Sequence, residues 1–197
     1  MIKKEKPVRS YTGEKWKTNK TNKKYLAVDF KNRCAYCDDC DKIYGGYNLY
    51  HVEHFAPKEK FPQLEFNYDN LLYACSYCNV SKSDDWPSDS PTTNVVGSCG
   101  YIDPCLDEFY KHLDRNDKTG EIYYKTELGQ YMYNHLRLYL KRHAIIYMMD
   151  RLQEKIETLK ISIEKDEKNG INTTKKRQFL IEYKSVFYDY YCQIQSE

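Results

Sequence analysis

Cys34-Ala35-Tyr36-Cys37, His51-Val52-Glu53-His54-Phe55-Ala56-Pro57-Lys58 and Asp69-Asn70-Leu71-Leu72-Tyr73-Ala74-Cys75-Ser76-Tyr77-Cys78-Asn79 are the stretches that decide how this chain reads. Two CxxC pairs, Cys34/Cys37 and Cys75/Cys78, can set four thiolates tetrahedrally around zinc, each pair closed by a tight turn. An all-sulfur shell leaves no open position for chemistry, so such a site is structural. Cys40 makes an overlapping Cys37-x-x-Cys40 and is the alternative member of the first pair; Cys34 with Cys37 is the preferred reading. The gap between Cys37 and Cys75 is longer than in a simple zinc ribbon, and the chemistry is expected inside it.

Working outward, Tyr25, Leu26, Val28 and Phe30 predict a short helix or turn before the first knuckle. Gly45-Gly46 marks a turn, and Tyr47 to Phe55 is rich enough in aromatic and branched residues to be a strand. Pro57 and Pro62 bracket a loop. Leu71 to Ala74 is a second strand, and one or two helical turns are expected after Cys78, before Pro87. Residues 87–105 read as a connector rich in Pro, Ser, Thr and Gly. Asp114 to Gly120 is a turn feeding a strand over 121–125, and from Thr126 the pattern is helical. Ile145, Met149, Leu152, Ile156, Leu159 and Ile163 recur at alternating spacings of four and three, an apolar seam on one helix face. That seam predicts oligomerisation or partner docking, with packing on its own chain as the alternative. Asn169-Gly170 ends the helix, and Thr173 to Tyr191 predicts another that packs back.

Hydrophobic residues at 41% and charged residues at 30% fit a globular protein. No apolar run approaches the ~18 residues needed to span a bilayer, and the N-terminus lacks a signal pattern, so the expectation is no membrane and a cytoplasmic location. In a reducing compartment, grouped cysteines favour metal over disulfides. Cys99 and Cys105 could bind a second metal but lack a matching pair, so buried or inert thiols are the preferred reading, while Cys192 is expected in the core. The net charge of +2 decides little, but basic residues crowd the stretch before Cys34. A basic arm over 1–24 can track phosphates; the alternative is a solvated tail.

Residues 34–82 resemble the HNH endonuclease family in its four-cysteine form. The resemblance implies an α+β fold with a zinc-stapled ββα-metal module over 25–105, followed by a mostly helical region over 106–197. It also implies hydrolysis of phosphodiester bonds in nucleic acid, with DNA the favoured substrate. By the same resemblance, His54 corresponds to the general base, a role suited to an imidazole titrating near neutrality. Glu53 corresponds to the acidic ligand of a catalytic divalent cation, and Asn79 to the second protein ligand, where the family often has histidine. A carboxylate with an amide oxygen makes a hard site that favours Mg²⁺ or Mn²⁺. Asn70 corresponds to the middle asparagine, which bridges the loop and orients the histidine. His51 is open between a nearby ligand and a strand residue. Lys58 and Lys82 are open between phosphate contacts and ordinary surface lysines, and Tyr50 and Tyr73 are expected to pack.

A looser resemblance covers Gly100 to Cys105, the turn near Asp117 to Gly120 and the helix through Leu136, Leu138 and Arg142. These look like the tail of HNH proteins from bacterial anti-phage systems, including the nuclease subunit of Septu-type pairs, whose partner is an ATPase. It implies a partner-docking surface on the C-terminal helices. A zinc-bound, non-catalytic nucleic-acid or protein-binding module is the rival from another class, and RNA cleavage is a second.

Overall fold

Helix α1 (Asn19–Asp29) stops where Lys31 and Asn32 take positive φ, which swings the chain into the first knuckle. The computed structural model describes residues 1–10 and 18–196. A bridge between Arg33 and Cys40, with Cys34 N–H donating to the Asp39 carbonyl at 2.9 Å, closes the knuckle. Strand β1 (Tyr50–His54) then pairs antiparallel with β2 (Leu71–Cys75), in a register that sets Tyr50 opposite Cys75 and His54 opposite Leu71. The strand expected from Tyr47 starts three residues late. Gly45 and Gly46 both have positive φ, and Tyr47–Leu49 wind into a 3-10 turn tied back by Leu49 N–H to the Gly46 carbonyl.

Every residue of β2 is buried, which explains its unbroken apolar run: the strand is covered on both faces rather than one. Helix α2 (Ser76–Lys82) follows without a linker, because Cys75 is still extended (ψ 157) and serves as the cap. The helix expected after Cys78 therefore begins two residues before it. Cys78, Asn79 and Lys82 share one helical face by their spacing.

Two-residue strands β3 (Val95–Val96) and β4 (Cys99–Gly100) close the connector. Gly100 is required there: a Cβ would lie 2.1 Å from the Asn94 carbonyl oxygen. Helix α3 (Phe109–His112) leads into the hairpin of β5 (Leu113–Arg115) and β6 (Ile122–Tyr124). Helix α4 (Glu127–His135) is capped by Thr126, whose Oγ1 accepts from Gly129 N–H at 3.0 Å. One core joins these elements from Ile2 to Leu138, so it includes residues on both sides of position 105.

The C-terminal hairpin is α5 (Lys141–Lys168) and α6 (Thr174–Gln195), turned at Gly170 with positive φ. Ile145, Met149, Leu152, Ile156 and Ile163 are buried and Leu159 is half-buried. The seam faces α6, where Phe187, Tyr190 and Ile194 pack against Ile145, Ile146 and Met149. It is satisfied within the chain, which corrects its reading as an oligomer or partner contact. Any docking on this hairpin falls to the outer faces, where Ile161, Phe179, Ile181 and Tyr188 stand exposed. Cys192 is exposed on α6 and not in the core.

The first ten residues also differ from an arm. Ile2 is fully buried and Lys3 nearly so; Lys4 N–H donates to Asp38, and Arg9 donates to the Leu71 carbonyl and pairs with Asp103 at 2.8 Å. The Arg9 guanidinium and the N-terminal amine thus neutralise the half-buried Asp103 and Asp114, a use that composition does not reveal. Lys15 and Lys17 of the expected arm lie outside the described residues.

Candidate metal centre and catalytic pocket

Cys34, Cys37, Cys75 and Cys78 are all buried, and their sulfurs lie within 4.8 Å of one another. The Cys37 and Cys75 sulfurs stand 3.7 Å apart. Thiolates held at ~2.3 Å on a tetrahedral ion are about 3.8 Å apart, so the four cysteines are clustered as a zinc site. Cys40 is buried outside the cluster, which settles the pairing on Cys34 and Cys37 as geometry. Cys99 and Cys105 belong to no metal-type group among the described residues. Burial pushes the Cys105 thiol up to about 12, so it stays protonated.

Two contacts wrap the cluster and escaped the sequence reading. The Arg115 guanidinium is buried and donates to the carbonyls of Cys37 (2.5 Å), Gly120 (2.6 Å), His143 (3.1 Å) and Ile2 (3.2 Å). His143 on α5 meets Asp39 at 2.8 Å, and both offer ligand-type atoms within 4.8 Å of the Cys37 sulfur. Nothing local in the sequence marks a residue 104 positions away as part of the knuckle's wall.

The ββα unit brings Glu53, His54 and Asn79 to one pocket of ≈ 600 Å³, with Lys58 and Glu59 on its loop side. His54 ends β1, and its Nε2 lies 3.0 Å from the Glu65 carbonyl oxygen. A carbonyl only accepts, so Nε2 carries the proton and Nδ1 keeps its lone pair. Burial holds the His54 imidazole below its ordinary pKa, with the Glu65 carbonyl pulling the other way. The arrangement favours a neutral imidazole whose Nδ1 lone pair is free.

Asn70 staples the loop that supplies that carbonyl. Its Oδ1 accepts from Ala56 N–H at 2.8 Å and its Nδ2 donates to the Ala56 carbonyl at 2.9 Å, a strand-like pair made by a side chain. Asn79 is half-buried, and among the described residues its side chain makes no hydrogen bond. His51 is exposed and lies on a neighbouring groove.

Glu53 is only 5% exposed. Burial pushes its carboxyl up to about 7, opposed by Lys82. Lys82 is fully buried, its Nζ 2.9 Å from Glu53 Oε1 and 3.2 Å from the His54 carbonyl, under the rings of Trp86 and Tyr101. Tyr36 OH donates to the same Oε1 at 3.3 Å. Lys82 therefore does not reach a substrate phosphate; it braces the pocket from inside. Its spacing of three from Asn79 and four from Cys78 was the available signal. Among the described residues nothing hydrogen-bonds Oε2, so a carboxylate oxygen and the Asn79 amide remain for a hard cation, and this donor set fits Mg²⁺ or Mn²⁺.

Lys82→Met should leave the Glu53 carboxylate buried without its partner, which typically costs about 3–5 kcal/mol. Urea unfolding should show that loss, and adding Glu53→Gln to Lys82→Met should recover part of it. Equal stability of Lys82→Met and wild type would show that the ion pair does not support the fold.

Residues 34–85 match the model of the HNH endonuclease family, and this segment forms an HNH domain. The chain is similar to two bacterial proteins. The Septu protein PtuB of Bacillus thuringiensis is 28% identical over 138 residues, 67% of this chain and 50% of that protein. The Septu protein PtuA of Bacillus mycoides is 27% identical over 138 residues, 60% of this chain and 19% of that protein. The matched region thus spans half of the first relative and about a fifth of the second. No solved structure matches the chain.

Proposed function

We propose that this chain is a metal-dependent endonuclease that hydrolyses phosphodiester bonds in nucleic acid, with DNA its main substrate, as an effector of bacterial defence against phage. The observation that carries the reading is the His54 contact: Nε2 lies against the Glu65 carbonyl, which leaves the Nδ1 lone pair free in a residue that shares its pocket with Glu53 and Asn79. His54 Nδ1 takes the proton from the attacking water, a role for which a neutral imidazole is suited. Asn70 holds the loop that fixes the imidazole, and Lys82 and Tyr36 hold Glu53 from behind. Glu53 Oε2 and the Asn79 amide oxygen are the groups that would hold Mg²⁺ or Mn²⁺. Such an ion supplies charge stabilisation to the scissile phosphate and the leaving 3′ oxygen.

In this reading residues 25–105 carry the chemistry, and the helical region 106–197 supports them and meets a partner. The resemblance to Septu-type nuclease subunits supports an ATPase as that partner, and the exposed Ile161, Phe179, Ile181 and Tyr188 on the outer faces of α5 and α6 are its proposed docking surface. A cytoplasmic place of action goes with this role; no helix among the described residues is long and apolar enough to cross a membrane.

The test is incubation of the purified chain with supercoiled plasmid and with total RNA, with Mg²⁺, with Mn²⁺ or with no added divalent cation. Nicked and linear plasmid only with the added metals is the expected result. Cleavage confined to RNA moves the substrate class. Binding without cleavage of either polymer supports the non-catalytic module and overturns the reading.

A further inference from the structure

Beside the catalytic pocket lies a second groove of ≈ 850 Å³ to which the HNH elements contribute only one wall. Lys20, Lys23 and Lys24 of α1 line it on one side, with Tyr47 and His51 opposite; Val52 and Asn79 line both this groove and the pocket, so the two are continuous. Spacings of three and four put the three lysines on one helix face. Among the described residues none of the three pairs with a carboxylate, whereas Lys4, Lys6, Arg9 and Arg33 all do. Asp41 acts on Lys23 from a distance without pairing with it, so the three ammonium groups of α1 stay available to a ligand. Lys23 Nζ sits 4.2 Å from the Tyr47 ring centroid, and Tyr47 stacks on Tyr73, which stacks on Tyr50. That stack fixes Tyr47 while leaving it 42% exposed, and a cation held in place loses less freedom when it binds.

We propose that this groove is the track of the substrate strand next to the scissile phosphate, a role that rests on the nuclease reading above. Lys20, Lys23 and Lys24 hold backbone phosphates, and the exposed part of Tyr47 packs on a sugar or base. Its ligand is a polynucleotide strand, recognised by backbone charge without sequence readout.

The experiment compares full-length wild type with a Lys20→Ala/Lys24→Ala double variant in binding a fluorescein-labelled oligonucleotide, single-stranded and duplex. Binding is measured without added Mg²⁺ or Mn²⁺, over a series of NaCl concentrations. A Lys175→Ala/Lys184→Ala variant on α6 removes the same charge at positions that do not line the groove. Each phosphate contact adds roughly 0.7 to the salt slope for single strands and 0.9 for duplex. The α1 double variant should therefore lose about 1.4–1.8 from the slope of log Kd against log salt, with zinc content and circular dichroism unchanged. The α6 variant should keep the wild-type slope. An unchanged slope in the α1 variant, an equal loss in the α6 variant, or no binding by wild type overturns the proposal. Cleavage with an unchanged slope overturns the groove alone; binding with the expected slope but no cleavage overturns the nuclease reading and leaves the groove standing.

Discussion

Serine at Cys34 or at Cys78 is expected to take the chain from about one zinc ion to none and to unfold the catalytic hairpin. Zinc binding to such motifs is worth roughly 10–16 kcal/mol in small peptides, while a whole domain is stable by only about 5–15 kcal/mol. The site also pins together three separate stretches of the chain. Cys34 and Cys37 come from the turn after α1, Cys75 ends β2, and Cys78 lies in α2. Loss of the ion therefore frees the strand that positions His54 and the helix that carries Asn79 and Lys82. The damage should reach α5, because Arg115 binds the carbonyls of both Cys37 and His143. Zinc analysis and thermal unfolding by circular dichroism measure both effects. A zinc-free Cys78→Ser protein that melts at the wild-type temperature would show that the cysteines do not staple the fold.

Most of the zinc-stapled hairpin was legible because its signals are local: two CxxC turns, a glycine pair, and an apolar run for β2. The paired strands and the cysteine cluster stand where those signals put them, with β1 shortened by the turn at Gly46. The seam on α5 was equally visible, but spacing cannot tell a partner in the same chain from one in another; the α6 row at Phe187, Tyr190 and Ile194 decides it. The N-terminal segment differs from the expected arm for a related reason. Lysines and arginines read as solvent-seeking, yet Arg9 and Arg33 serve acids at Asp103 and Asp150 that lie far from them in sequence. Tyrosines follow the same logic. Tyr73, Tyr101 and Tyr131 are packing residues whose hydroxyls also tie down Asp41 and Asp85. In the pocket, family resemblance named Glu53 but could not show that a buried lysine already stands against it, because Lys82 also reads as an ordinary helix-surface lysine.

His54→Ala is the variant with the largest expected effect on activity. The imidazole is buried but its ring makes one hydrogen bond, Nε2 to the Glu65 carbonyl, and it pairs with neither the four sulfurs nor the Lys82–Glu53 ion pair. Its removal should leave zinc content, unfolding temperature and oligonucleotide affinity near wild type while the water loses its proton acceptor. Loss of general-base catalysis alone typically lowers a rate by ~10²–10⁴-fold. The decisive measurement is the initial rate of plasmid cleavage by His54→Ala beside wild type in Mg²⁺, on protein shown to be folded and zinc-loaded. A fall of at least about a hundredfold is predicted; a folded His54→Ala protein that cuts at near the wild-type rate would contradict the account.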